Sequence, residues 1–389
     1  MRTQVAIVGG GPSGLLLSHL LHLQGIDSVV LEQRSRNYVE ARIRAGVLEQ
    51  GTVELLTEVG LGDRLRREGL VHDGTQLYFG GALHRIDFHA LTGKRVTVYG
   101  QTEIQKDLGD ARDRAGGAVI HEAEDIAIEG IEGDAPLVRY RKDGVDDALR
   151  CDFVAGCDGF HGVSRATIPA AVLKTYERAY PFAWLGILAD VPPARDELIY
   201  SAHDRGFALA SMRSATRSRY YFQSSVGENI EDWSDDRIWE ELKIRFGPEV
   251  AATMQTGPSI EKSVAPLRSF VAEPMRFGRL MLAGDAAHIV PPTGAKGLNL
   301  AVADVRVLSR ALVAWFKQGR GDLVESYSAT CLSRVWKAER FSWWLTTLMH
   351  RLHDPASFER RIQLAELEYI VGSKAASTAL AENYVGLPF

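Results

Sequence analysis

The chain opens on a short apolar run, Val5-Ala6-Ile7-Val8, between polar Gln4 and a cluster of glycines, which predicts a buried strand. Apolar residues then crowd Ser13–Leu23 too densely for a one-sided surface helix. A helix packed between layers is expected there, stopped by Gly25. Ser28–Leu31 reads as a second strand, ending at Glu32. Strand, helix and strand in this order open a parallel sheet, whose two faces must both be covered. Val96–Tyr99 and Phe153–Ala155 read as further short strands. From about Pro181 to Val226 the pattern changes. Trp184–Ala189 and Arg219–Ser224 lie between turns with no long helical period, which predicts an antiparallel sheet. Arg279–Ala283 returns to a buried strand ending in Gly284-Asp285, Leu298–Phe316 has apolar residues at helical spacing, and most of Glu325–Ala381 is helical in pattern.

The simplest organisation is an α/β domain with a parallel sheet, interrupted by a mostly antiparallel domain and then resumed. The expected limits are 1–175, 176–268 and 269–345, with a helical C-terminal region at 346–389. A length of 389 residues exceeds what one core usually supports, which agrees with more than one domain. The net charge of -5 argues against a nucleic-acid partner. Three cysteines without a CxxC pair argue against a disulfide scaffold or a zinc site and fit reduced thiols. No secretory leader pattern and no membrane-length apolar run is seen, so the cytoplasm is the expected location. His19 and His22, like His350 and His353, are spaced to share a helix face, but neither pair has further ligands nearby, and no metal is predicted.

Three motifs carry chemistry. Gly9-Gly10-Gly11-Pro12-Ser13-Gly14 is a G-x-G-x-x-G between a strand and a helix. Its glycines permit a tight turn and a close approach to pyrophosphate, and the helix start presents free amides to the phosphates. Glu32 then stands where a carboxylate accepts hydrogen bonds from ribose. Gly278–His288 is a strand ending in Gly284-Asp285, after which small residues read as a helix start. Asp285 there is either a helix cap or a partner for a sugar hydroxyl. A second dinucleotide element far from the first favours a flavin over nicotinamide alone. The third is Cys157-Asp158-Gly159-Phe160-His161-Gly162-Val163-Ser164-Arg165, by itself only a turn.

In this order the three motifs resemble the single-component FAD-dependent aromatic hydroxylases. Further segments resemble the members of that family that act on 4-hydroxybenzoate. They are Arg42–Gln50, Tyr99-Gly100-Gln101-Thr102, Arg213–Tyr221, Ala265–Phe270, Gly284–Asn299 and Glu382–Pro388. The resemblance implies a Rossmann-type FAD-binding domain, a substrate domain and a homodimer. It implies that NADPH, or NADH, reduces FAD and that a flavin hydroperoxide formed with dioxygen attacks the phenolate, giving 3,4-dihydroxybenzoate.

Carried over by position, Gly9, Gly11, Ser13, Gly14, Glu32, Arg42, Arg44, Gln101, Asp285, Leu298 and Asn299 would hold FAD. Arg213 would pair with the substrate carboxylate, which suits a planar guanidinium fork, with Ser211 and Tyr221 donating to the same group. Tyr200 and the Pro292 carbonyl would face the phenol, and Tyr384 would continue a proton path from Tyr200 towards His72. Asn299 would sit by the flavin ring. Arg34, Tyr38, Arg42, His161 and Arg268 would meet the pyridine nucleotide, with Arg36 adding positive charge, while Gln33 and Glu40 weaken the preference for a 2′-phosphate. Gly294 and Gly297 are consistent with a loop or flavin that moves between reduction and oxygenation.

The residues also have plainer readings: a solvated basic face for Arg213, Arg217 and Arg219, core tyrosines for Tyr200 and Tyr384, and a surface histidine for His72. Besides a plain NAD-dependent dehydrogenase, which visible flavin colour would exclude, two rival functions remain at this point. One is the same chemistry on a related phenolic acid, with Leu198, Leu209, Ala210 and Met212 shaping the pocket. The other is a flavoprotein without oxygenation, such as a reductase.

Overall fold

The computed structural model describes residues 1–41 and 46–387. Its first sheet runs Arg276–Phe277, Leu280–Leu282, Phe153–Gly156, Val5–Val8, Ser28–Glu32 and Ala118–His121, parallel throughout except for the Arg276–Phe277 edge. Val5–Val8 is wholly buried at its centre: Pro12–Leu23 packs on it, backed by Gln101–Arg114 and Gly297–Gln318, and the three-stranded sheet of Glu124–Glu129, Leu137–Lys142 and Val145–Arg150 shares the same core. That burial on both faces explains the unbroken apolar runs of these strands.

The second large sheet has eight strands, in the order His288–Ile289, Ser259–Glu273, Lys174–Ala189, Arg217–Ser224, Gly206–Ser214, Ile199–His203, Gly74–Phe79 and Ala82–Asp87. Only Ile199–His203 against Gly74–Phe79 is parallel. The hairpin Gly74–Asp87 therefore belongs with the antiparallel strands, so a cut after residue 175 does not separate the two sheets. One face of this sheet packs on a helix absent from the sequence reading, Asp235–Ala251, through Leu185, Ile187, Ala208, Ala210, Tyr220 and Phe222. The other face meets the C-terminal helices Asp322–Met349, Phe358–Gly372 and Lys374–Val385 through Leu77, Trp184, Tyr200, Phe207 and Leu209. A small sheet of Val47–Glu49, Val96–Val98 and Leu70–His72 lies beside that second core. Among the described residues no helix is long and apolar enough to cross a membrane.

Candidate active site

The first glycine turn has the shape of a phosphate cradle. Gly9 has φ +104°, and a Cβ there would lie 2.3 Å from the Cys157 carbonyl oxygen. A Cβ on Gly14 would lie 1.9 Å from the Gly9 oxygen, so helix and strand approach this closely only without a side chain. Around Gly11 the space is open, with no atom within 4 Å of a Cβ position. The helix beyond it starts without a side-chain cap, so its first N–H groups point into that space. The Glu32 carboxylate accepts from Gly10 N–H at 2.6 Å and Arg34 N–H at 2.8 Å, which holds it at the mouth of the cradle. These residues fit the pyrophosphate and ribose of FAD. Tyr99 N–H donates to the Gly46 carbonyl at 2.7 Å, which sets Gly46–Gln50 beside the strand that leads to Gln101. Arg42 and Arg44 themselves lie outside the described residues.

The second motif meets the first: a Cβ on Gly284 would fall 2.9 Å from Ser13 Oγ. Asp285 stands exposed there between buried neighbours. No helix follows it directly, contrary to the sequence expectation. The chain makes a 3-10 turn at Gly284–Ala286, a short strand at His288–Ile289 and a second 3-10 turn at Pro292–Gly294, and the helix starts at Gly297. Pro291 and Pro292 lack the N–H that a continuous helix needs. Buried Asp304 accepts from Gly284 N–H at 3.0 Å and from His288 Nε2 at 2.6 Å, which fastens the detour to the helix behind it.

Helix Gly297–Gln318 also starts without a side-chain cap, leaving first-turn amides, including those of Leu298 and Asn299, for an outside acceptor. The Asn299 side chain is fully engaged. Its Oδ1 accepts from Glu49 N–H at 2.9 Å and Thr52 Oγ1 at 2.8 Å, and its Nδ2 donates to Val47 and Ala295 carbonyls, each at 2.9 Å. Any contact with a flavin ring therefore falls to its backbone. Gly294 is not there to loosen the loop. A Cβ on Gly294 would lie 2.6 Å from Ser342 Oγ, so Gly294 is a packing glycine, and the left-handed residue is Ala295 at φ 53°. Pro292 is exposed, and its carbonyl already accepts the Ala295 N–H at 3.0 Å, with one lone pair remaining.

The antiparallel sheet sets the proposed substrate residues side by side. Tyr200 pairs with Leu209, Leu209 with Tyr221 and Tyr221 with Gly186, so one row crosses four strands on one face. Gly186 is required here, because a Cβ would meet the Tyr221 ring at 2.8 Å. Ser211 follows Leu209 at an alternate position; the register shifts between Met212 and Ser214, and Arg213 reaches Tyr221 of that row.

Arg213 is not part of a solvated basic face. Its Nε is buried without a partner, its Nη1 donates to the Met212 carbonyl at 3.0 Å, and among the described residues no carboxylate pairs with it. Burial pushes its pKa down, partly offset by Tyr221. Neighbouring Arg219 is also buried but is neutralised by Glu261 at 2.8 Å, while Arg217 alone is surface-paired, with Asp190. Ser211 Oγ donates to the Arg219 carbonyl at 2.8 Å, so it faces a ligand as an acceptor unless its hydroxyl turns.

Tyr200 and Tyr384 are buried, and their hydroxyls lie 2.7 Å apart. Burial pushes the Tyr384 phenol up to about 12 and the Tyr200 phenol well above its ordinary value. His72 is buried too, not at the surface. Burial pushes its pKa down to about 4, against a weaker upward pull from Glu197 and Asp196. Neither of its ring nitrogens has a hydrogen-bond partner among the described residues.

Of the positions read as shaping the pocket, Leu198, Leu209 and Met212 face the C-terminal helices, whereas Ala210 packs in the opposite core. On the surface that would receive a pyridine nucleotide, the Arg34 guanidinium lies 5.3 Å from the Tyr38 ring centroid. His161 and Arg268 flank the Phe160 ring at 5.0 and 4.9 Å. Arg36 contributes little net charge there, because Glu40, Asp110 and Asp113 all pair with it.

A buried ionic latch escaped the sequence reading. Lys296 Nζ donates to the Tyr384 carbonyl at 2.8 Å and pairs with Glu49 at 2.7 Å, and Glu49 also pairs with Arg334 at 3.0 Å. It fixes the backbone of Tyr384 to the Pro292–Gly297 loop. The one local signal was a lysine among the small residues Ala295 and Gly297.

Comparison with known proteins adds to this geometry. A family model described as an FAD binding domain matches residues 2–342. The chain is 57% identical over 390 aligned residues to a p-hydroxybenzoate hydroxylase of Acinetobacter baylyi, covering 100% of this chain and 96% of that one. It is 27% identical to a 3-(3-hydroxy-phenyl)propionate/3-hydroxycinnamic acid hydroxylase of Paraburkholderia xenovorans, over 84% of this chain but 52% of that longer protein. Among solved structures, p-nitrophenol 4-monooxygenase of Pseudomonas putida superposes with a TM-score of 0.85 at 21% identity, each chain covered completely. At that identity the likeness speaks for the fold.

Proposed function

Since the chain belongs to the FAD-binding family of flavoprotein aromatic hydroxylases, we propose that it hydroxylates 4-hydroxybenzoate beside the phenol, giving 3,4-dihydroxybenzoate, with NAD(P)H and dioxygen as co-substrates. The observation that carries the substrate assignment is the Arg213 guanidinium, whose Nε is buried and which has no carboxylate partner among the described residues, near the row that also bears Tyr200. A buried cation is costly until an anion reaches it, so the site selects a ligand with a carboxylate at that end. The Tyr200–Tyr384 pair then receives the phenol at the other end.

Bound FAD supplies electron transfer from the nicotinamide and activation of dioxygen. The cradle at Gly9–Gly14, with Glu32 and Asp285, would hold its pyrophosphate and ribityl side, and the amides of Leu298 and Asn299 would face its ring. The protein's own task is to make the ring electron-rich. Tyr200 accepts the phenol proton and Tyr384 carries it on towards His72, which leaves a phenolate in the pocket. With Tyr200 and Tyr384 both strongly disfavouring anions, the proton moves along the chain without stopping as a tyrosinate. His72 stands at the end of the proposed path and relays the proton in passing, since burial keeps its resting form neutral.

A second copy of the chain is the proposed partner, docking on the exposed apolar stripe of Phe358, Ile362 and Tyr369. The proposed location is the cytoplasm, supported by three buried free cysteines. Titrating the protein with 4-hydroxybenzoate, 4-hydroxybenzamide and benzoate tests the substrate reading. Tight binding of the first alone supports it, and equal binding of the amide contradicts the role of Arg213.

A further inference from the structure

His350 closes helix Asp322–Met349 and is completely buried. Its Nε2 lies 2.7 Å from Trp184 Nε1 and its Nδ1 lies 2.8 Å from the Thr346 carbonyl. An indole N–H only donates and a carbonyl only accepts, so the ring is neutral with its proton on Nδ1. The imidazole stacks between Phe182 at 4.4 Å and Phe207 at 4.3 Å. Trp184 in turn lies 5.1 Å from the Tyr221 ring, at the carboxylate end of the pocket.

On its other side, His350 connects to the loop. Thr346 Oγ1 is 2.6 Å from the Ser342 carbonyl and 2.9 Å from Thr293 Oγ1. Thr346 therefore donates to the carbonyl, and the Thr293 hydroxyl donates to Thr346. Thr293 is the middle residue of the Pro292–Gly294 turn. A single buried chain, Trp184–His350–Thr346–Thr293, thus joins the wall beside the substrate carboxylate to the loop beside the phenol.

We propose that His350 is a positioning residue for the hydroxylation, holding the Trp184 wall in register with the Pro292–Gly294 loop so that a substrate clamped at Arg213 is correctly placed at the loop. The proposal rests on the functional reading above. It gives a role to a histidine whose spacing from His353 otherwise suggests only a metal pair.

The test uses the FAD-loaded protein and the variants His350→Leu, His350→Gln, Trp184→Phe and the His350→Leu/Trp184→Phe double variant. The dissociation constant of 4-hydroxybenzoate is measured by calorimetry, and product and hydrogen peroxide are counted per nucleotide oxidised. His350→Leu and Trp184→Phe should each weaken binding by roughly fivefold and divert turnover to peroxide. The double variant should be no worse than His350→Leu, and His350→Gln, which keeps an acceptor for Trp184, should recover most of the coupling. Additive effects of the two single changes, or a lower Tm with binding and coupling intact, would overturn the proposal. If His350→Leu does not fold, Trp184→Phe decides alone: unchanged binding and coupling in it would overturn the proposal. An unmodified protein that forms no hydroxylated product contradicts the functional reading itself, and the positioning role falls with it.

Discussion

The hydroxyls of Tyr200 and Tyr384 lie 2.7 Å apart although 184 residues separate them in the chain. Tyr200 is on a strand of the eight-stranded sheet, and Tyr384 is on the last helix, where its ring stacks on Phe88 at 4.7 Å. The pair exists only because that helix lies across the sheet, and the latch of Lys296, Glu49 and Arg334 fixes its backbone there.

Tyr384→Phe removes one hydroxyl from the proton path and leaves the carboxylate clamp untouched. The dissociation constant of 4-hydroxybenzoate should stay within about threefold, while the hydroxylation rate falls by on the order of a hundredfold, the usual size of an acid–base contribution. Stopped-flow measurement of product formation checks this. An unchanged rate would remove Tyr384 from the path.

Arg213 carries opposite consequences for stability and binding. Arg213→Met removes a buried unpaired charge, so the Tm of the substrate-free protein should hold or rise. Affinity for 4-hydroxybenzoate should fall by on the order of a hundredfold or more, as for a truncated buried charge pair, and the substrate-induced rise in Tm should vanish. Thermal scans with and without the ligand read both effects.

Two buried neutral histidines make the fold sensitive to acid. Burial lowers the pKa of His72 from 6.5 to about 4 and that of His350 from 6.5 to about 3. Between these folded values and 6.5 the unfolded chain binds protons that the folded chain refuses. Their stabilising contribution is therefore complete above about pH 6.5 and is lost on acidification, by about 1.4 kcal/mol per pH unit for each histidine. His288, whose pKa is raised beside Asp304, has the opposite sign: its contribution is present at low pH and is lost as pH rises through its folded value. Denaturant unfolding from pH 7 to pH 4.5 should show falling stability, with a shallower slope in His350→Gln. An equal slope would mean that His350 is protonated in the folded state.

Gly14→Ala places a methyl against the Gly9 carbonyl oxygen, where 1.9 Å is available. The turn must open, so FAD content, read from the ratio of flavin to protein absorbance, should fall severalfold. A variant with full FAD content would show that the turn yields without harm.

The proposed second copy is tested at Phe358 and Ile362, which are 75% and 55% exposed one turn apart on the same helix. Phe358→Asp with Ile362→Glu should shift the species seen by analytical ultracentrifugation from dimer to monomer. An unchanged dimer would move the interface elsewhere.

Much of the cofactor side was legible because glycine turns report local backbone demands. Gly9 and Gly14 are glycines for reasons of φ and close approach that operate within a few residues. The strand periods were legible for the same local reason. The helix after Asp285 was misplaced because the pull of Asp304 on Gly284 and His288 comes from a separate element. The arginine run looked solvated because charge alone does not report how deep in a sheet a residue lies. Arg219 is buried with Glu261 and the Arg213 Nε is buried, while Arg217 pairs with Asp190 at the strand end. His350 is likewise silent in sequence, since its partner Trp184 lies 166 residues away.

The most direct test of the account is a product assay on the purified FAD-loaded protein, following NADPH and NADH oxidation with and without 4-hydroxybenzoate. The account predicts strong stimulation by 4-hydroxybenzoate and one 3,4-dihydroxybenzoate formed per nucleotide oxidised. Oxidation that ignores 4-hydroxybenzoate, or that yields hydrogen peroxide without 3,4-dihydroxybenzoate, would contradict it.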